Sequence, residues 1–231
     1  MTQKRIRVWD LPTRIFHWLL VLTVIGAIVS GQIGGNWIDW HARLGLFAAG
    51  LIVFRLLWGL IGSTYARFRQ FFPTPARIRA YLAGQWRGEG HNPLGALSVF
   101  ALLGVLGGQI VSGLFANDDI AFTGPLYDLV GKSLSNRLTG LHHLLADGLM
   151  ILIGLHIAAI LFYVHVRKQN LVKPMLTGDK LADEGVASAQ GGGLPAFLLA
   201  LGIAVLAVYA ASGAWLPAPP PAPPAASTPA W

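Results

Sequence analysis

Five long apolar runs, at about 15–33, 42–62, 94–115, 141–165 and 194–215, decide what this chain can fold into. Each has the roughly 20 helical residues needed to cross a hydrocarbon core of ~30 Å. Inside lipid every backbone amide and carbonyl needs a protein partner, so only helices and closed barrels can cross. The runs are continuous rather than alternating, which selects helices. Composition agrees: 54% of the residues are hydrophobic and only 12% are charged. The expected fold is all-α, an integral membrane protein in contact with lipid along most of its length.

The first run follows Lys4, Arg5, Arg7 and Arg14, as a signal peptide's apolar region follows its charged start. It is long for such a region, and GQIGGNWIDWH after it offers no small-residue cleavage site, so it reads as a retained helix. Basic residues then set the orientation. They gather before the first span, between the second and third (Arg67, Arg69, Arg77, Arg79, Arg87) and after the fourth (Arg167, Lys168, Lys173, Lys180). The other connections carry Lys132, Arg137 and Arg43 beside Asp39, Asp118, Asp119 and Asp128. The positive-inside rule places the N-terminus in the cytoplasm and the C-terminus, after five spans, in the periplasm. The net charge of +7 is therefore mainly a topology signal, and with no binding module present nucleic acid is not an expected partner. The absence of cysteine excludes disulfides, cysteine-ligated iron–sulfur clusters and covalently attached c-type haem.

Along the chain, residues 1–180 read as one transmembrane bundle, 181–193 as a polar, glycine-rich cytoplasmic linker, 194–215 as a fifth helix without charge or histidine, and 216–231 as a proline-rich, disordered tail. The second loop is expected to hold a short amphipathic piece at the interface, with Phe71, Phe72, Tyr81 and Trp86 toward lipid. No repeat stands out at the level of residues.

Histidines are the residues that such a chain must explain. An ionisable side chain in a membrane helix is a functional candidate by default. His142 and His156 are 14 residues apart in LHHLLADGLMILIGLH, which in an α-helix is ~21 Å of rise and about 40° short of whole turns, so they share a face at opposite depths. His143 is turned away by about 140°. His17, near the cytoplasmic start of the first span, can share a depth with His156; His41, at the outer start of the second, can share one with His142. Two histidine pairs at two depths suit two haems b, each iron taking one imidazole on either side of the macrocycle, whereas zinc wants three or four ligands at one point.

Arg55 lies 14 residues after His41 and comes down at the depth of His17 and His156. Two readings stand: it meets a haem propionate, or it snorkels to the interface. Arg14 and Arg43, each near a proposed ligand, are weaker candidates for the same propionate role. His91 and Asn92, before Pro93, either cap the third span or, with Asp147, serve a quinone; Asp147 can also pair with His143.

VWDLPTRIFHWLL (8–20), FRLLWGLIGSTYARF (54–68), GHNPLGALSV (90–99), the LH, GLH and FY landmarks of the fourth span and NLVKPMLTGDK (170–180) together resemble the bacterial cytochrome b-561 family, which includes the b-type cytochrome subunits of nickel-iron hydrogenases. The resemblance implies a four-helix dihaem bundle in the bacterial inner membrane, here with an additional C-terminal helix. It also implies electron transfer between the quinone pool and a periplasmic partner, a c-type cytochrome or a hydrogenase-like oxidoreductase. Its ligand positions fall on His17, His41, His142 and His156, the set reached from spacing. The chain departs from the family pattern at His143 and in the fifth helix. Two other functions remain open: a haem-containing anchor for a periplasmic oxidoreductase, and a histidine-relay ion or proton transporter.

Overall fold

The computed structural model describes residues 3–217. The expected proline-rich tail falls almost wholly outside them. Strand β1 (Gln3–Arg7) leads into α1 (Leu11–Ile33). The Asp10 side chain accepts from the Thr13 N–H at 2.7 Å, and Pro12 sits in the first turn, where its missing N–H is not needed. Gly34, at φ 67°, ends the helix and turns the chain through Gly35–Trp37 into α2 (Ile38–Ile61). Two short helices, α3 (Phe68–Phe71) and α4 (Pro75–Leu82), precede α5 (Pro93–Leu114). Then come α6 (Lys132–His165), α7 (Val172–Thr177), strand β2 (Asp179–Asp183) and α8 (Leu194–Ala211).

Among the described residues, five helices are long and apolar enough to cross a membrane, α1, α2, α5, α6 and α8, with α2 extended by the preceding 3-10 turn. They fall on the five expected runs, but all except α8 begin earlier. Helix α1 starts at Leu11, where Asp10 caps it. Helix α6 starts at Lys132, nine residues before the apolar run, and its 34 residues span about 51 Å, more than a bilayer core. Apolarity marks where lipid ends rather than where a helix ends.

Helix α2 lies between the others, packing on α1, α5 and α8, while α6 packs chiefly on α5. Lipid gives apolar side chains no reason to leave it, so close packing of small residues holds such helices together. On α8, Ala200 and Ala204 are buried against α2, and Gly50 of α2 lies so close that an added Cβ would be 2.7 Å from Val208. Trp58, fully buried, stacks on Phe54, meets Phe197 of α8 and donates from Nε1 to Asp10 at 3.0 Å. In mid-membrane Ile52, Leu106 and Leu149 join α2, α5 and α6.

One end of the molecule is tied by pieces far apart in sequence. β1 and β2 pair antiparallel, from Gln3 with Asp183 to Arg7 with Asp179, and Ile6, Val8, Trp9 and Ala182 form a small core beneath. The segment expected as a linker opens with part of β2 and then hugs this end. Ala189 N–H donates to Arg7 O, the Tyr65 hydroxyl to Ala187 O, and Gly191 bridges to Ser63. The second loop also differs from expectation: Phe72 is exposed, but Phe71 is buried, turned in toward Phe68, Phe100 and His91. Below, this end is the sheet end and the α5–α6 loop marks the opposite, loop end.

Candidate cofactor-binding site

Near the loop end, His41 at the start of α2 and His142 on α6 bring their rings to 5.9 Å between centroids, with planes 84° apart. His41 Nδ1 lies 2.8 Å from the Ala27 carbonyl of α1, and His142 Nδ1 lies 2.9 Å from the Gln109 carbonyl of α5. A carbonyl only accepts, so each Nδ1 must carry the hydrogen and each Nε2 keeps its lone pair. Metal-binding imidazoles are oriented in this way. The Gln109 side-chain amide lies 3.0 Å from His142 Nε2 and can donate to it. Glycine makes the room: a Cβ at Gly31 would be 2.8 Å from His41 Nδ1, and one at Gly113 would be 2.8 Å from His142 Cε1.

Toward the sheet end, His17 of α1 and His156 of α6 are each half-buried. Arg55 of α2 belongs to the same group. It is 3% exposed, its guanidinium carbon sits 4.7 Å from the Phe68 ring centre, and its Nη1 is sealed from solvent without a hydrogen-bond partner among the described residues. His17 Nδ1 is sealed and unpartnered as well. His91 completes the cluster, lying between Trp9 and Phe71 at centroid distances of 4.7 and 4.6 Å. Burial pushes its imidazole down to about 3, with Arg55, His156 and His17 adding to the shift. It is neutral at physiological pH.

Other residues singled out in the sequence have different neighbours. Arg14 donates from Nη1 to Leu176 O at 2.6 Å, joining α1 to α7. Arg43 is exposed, 5.2 Å from the Trp40 ring centre. Asn92 caps α5, accepting from Gly95 N–H at 2.8 Å, and its amide donates to the Tyr163 hydroxyl at 3.0 Å. Tyr163 also bonds Tyr81, whose hydroxyl is pushed up to about 12 by burial and by that bond. His143 and Asp147 are exposed on α6, with no hydrogen bond between them among the described residues. His142 and His143, adjacent in sequence, are thus separated by geometry.

The sequence singles out Gly113 only as one of several small residues that let helices or a macrocycle approach closely, and Gly31, Ser30 and Ser112 at the loop-end pair were missed, although their signal was present. GAIVSG (26–31) and GQIVSG (108–113) differ at one position, and each ends in the glycine against a histidine.

The profile described as prokaryotic cytochrome b561 matches residues 8–178. The chain belongs to that family. It is 24% identical over 216 residues to the "Probable Ni/Fe-hydrogenase B-type cytochrome subunit" of Azotobacter vinelandii, covering 76% of this chain and 88% of the relative. Its identity to the protein of the same description from Rhodobacter capsulatus is 25% over 210 residues, covering 75% and 80%. The "Probable Ni/Fe-hydrogenase 1 B-type cytochrome subunit" of Escherichia coli K12 is 25% identical over 124 residues, covering 40% and 52%. No solved structure matches the chain. The protein is a multi-pass membrane cytochrome of b type that takes part in electron transfer, and the family implies haem b. The residues fit such a group: paired imidazoles whose Nδ1 atoms are bonded to carbonyls so that each Nε2 keeps its lone pair, glycines that leave space beside them, and a buried arginine with one nitrogen unpartnered among the described residues.

Proposed function

We propose that this cytochrome holds two haems b within a bundle of α1, α2, α5 and α6, with His41 and His142 as axial ligands at the loop end and His17 and His156 at the sheet end. The observation that carries this reading is the matched setting of His41 and His142, each with Nδ1 bound to a carbonyl of the helix packed beside its own. When bound, the haems supply reversible one-electron chemistry at two depths of the membrane. Helix α6 is continuous between His142 and His156 and so sets those depths about 21 Å apart. Arg55, whose Nη1 is unpartnered among the described residues, would hold a propionate of the sheet-end haem, which would relieve an otherwise costly buried charge.

In this reading electrons pass between membrane quinone and a periplasmic oxidoreductase or c-type cytochrome, in the bacterial inner membrane, with the sheet end cytoplasmic. His91 and Asn92 are held in the packing of the sheet end. Asp147 is exposed among Leu144, Met150 and Ile151, where a quinone arriving through lipid can reach a proton-exchanging carboxyl. Pyridine-haemochrome analysis of the purified chain tests the reading. Two haems per chain are expected, whereas a histidine-relay transporter would carry none, and one haem would remove one ligand pair.

A further inference from the structure

The two copies of the hexapeptide, GAIVSG in α1 and GQIVSG in α5, occupy equivalent surroundings. In each, the carbonyl of the second residue takes the Nδ1–H of a histidine on the next long helix: Ala27 from His41 at 2.8 Å, Gln109 from His142 at 2.9 Å. In each, the closing glycine is the residue whose amide pairs with that carbonyl in the α-helix, and the imidazole lies against it where a side chain would stand. In each, the serine turns back on the same carbonyls. Ser30 Oγ donates to Gly26 O at 2.7 Å and lies 3.2 Å from Ala27 O; Ser112 Oγ donates to Gly108 O at 2.8 Å and lies 3.1 Å from Gln109 O.

Glycine and back-bonded serine are each ordinary in membrane helices. Here both converge on one carbonyl that also receives a histidine, and they do so twice. Other glycines of α5 behave differently: a Cβ at Gly104 or Gly107 would meet nothing within 4 Å.

We infer that the hexapeptide is a duplicated imidazole holder, a positioning element on α1 and α5 that fixes the tautomer and ring plane of His41 on α2 and His142 on α6. The inference rests on the reading of these histidines as axial ligands of one haem and adds that their planes are held nearly perpendicular, at 84°. Crossed axial imidazole planes give a low-spin ferric centre a strongly anisotropic paramagnetic signal; parallel planes give a rhombic one. The serine shares the carbonyl with the imidazole and so moderates the pull on Nδ1–H. Without it the ligand becomes more basic and favours the ferric state.

The test uses the purified full chain with Gly31→Ala, Gly113→Ala, Ser30→Ala and Ser112→Ala, and Gly107→Ala as control. It reads haem per chain, the ferric paramagnetic spectrum and the potential of each haem. The wild type and the control are expected to carry two haems, one with the anisotropic signal. Each glycine variant should lose about half its haem or exchange that signal for a rhombic one, with the other haem unchanged. Each serine variant should keep both haems and lower one potential. Glycine variants with wild-type haem content and spectra would overturn the holder while leaving the dihaem reading standing. Equal loss of both haems would also overturn it, by assigning the glycines to bundle packing. An unshifted potential in both serine variants overturns the serine's part. A wild type without the loop-end haem fails the dihaem reading itself, and the holder with it.

Discussion

Arg55 is a guanidinium buried to 3% exposure with one nitrogen lacking a partner among the described residues. Such a charge is costly unless something anionic meets it, and the proposed propionate does so. Arg55→Met keeps much of the volume and removes the charge. A unit charge ~10 Å away in an effective dielectric of ~20 is worth about 1.7 kcal/mol, so the sheet-end haem should fall in potential by on the order of 70 mV while the loop-end haem stays within experimental scatter. A redox titration resolving the two haems checks this, and equal shifts in both would detach Arg55 from the sheet-end site. The adjacent histidines give a second residue-scale expectation. His142 is bonded into α5, whereas His143 is exposed, so His142→Ala should lose one haem of two and His143→Ala neither. Haemochrome counts that ran the other way would refute the facing of α6. The proposed ligand set was readable because helical spacing converts sequence distance into depth and direction. The glycine–serine setting left a visible signal in the twice-written hexapeptide, but its purpose did not show, because the atoms that receive the imidazoles are backbone carbonyls, which no residue type advertises.

Among the elements, the five spans were legible because lipid forbids unpaired backbone and therefore demands long apolar helices. The β1–β2 pair was not legible: QKRIR is short and mostly charged, and its partner DKLAD lies beyond four spans. The inward turn of Phe71 was hidden for a similar reason, since its neighbours Phe100 and His91 come from other segments. Two element-level outcomes follow from packing and charge. Gly50 and Val208 bring α2 and α8 into close contact, so Gly50→Ala should lower stability by about 1–3 kcal/mol, and Val208→Ala in the same chain should recover most of the loss. Thermal unfolding of the single and double variants in detergent measures this, and additive losses would mean that the two residues do not share the strain. In the α5–α6 loop, Asp118 accepts backbone N–H groups from Ile120, Ala121 and Phe122, each at 2.9 Å, which hold its carboxyl below the ordinary value of 3.8. Because the folded value is the lower one, the turn's added stability is present above pH 3.8 and lost as pH falls through the depressed value. Hydrogen exchange at residues 120–122 should therefore show protection at pH 5–7 and its loss in stronger acid, beyond the ordinary slowing of exchange.

For the molecule as a whole, strand pairing constrains topology independently of charge. β1 precedes the first span and β2 follows the fourth, and they can pair only if both lie on one side of the membrane. The second loop joins them there: Glu89 meets Lys180 at 2.5 Å, and Ser63 bridges to Gly191. The segments sharing that side are the three that carry most of the basic residues, so the pairing and the positive-inside rule agree on which connections belong together. The proposal that this side is cytoplasmic rests on charge alone. The cysteine-free chain provides its own labelling background. A single cysteine replacing the exposed Asp119 should react with a membrane-impermeant maleimide in intact spheroplasts. One replacing the exposed Glu184 should react only after the membrane is opened. The reverse pattern would invert the cytochrome and move the His41–His142 pair to the cytoplasmic side, which would place a periplasmic redox partner beside His17 and His156 instead. Reaction of both sites in intact spheroplasts would contradict the odd number of crossings between the α5–α6 loop and each strand, three to β1 and one to β2, and with it the pairing of β1 with β2 across four spans.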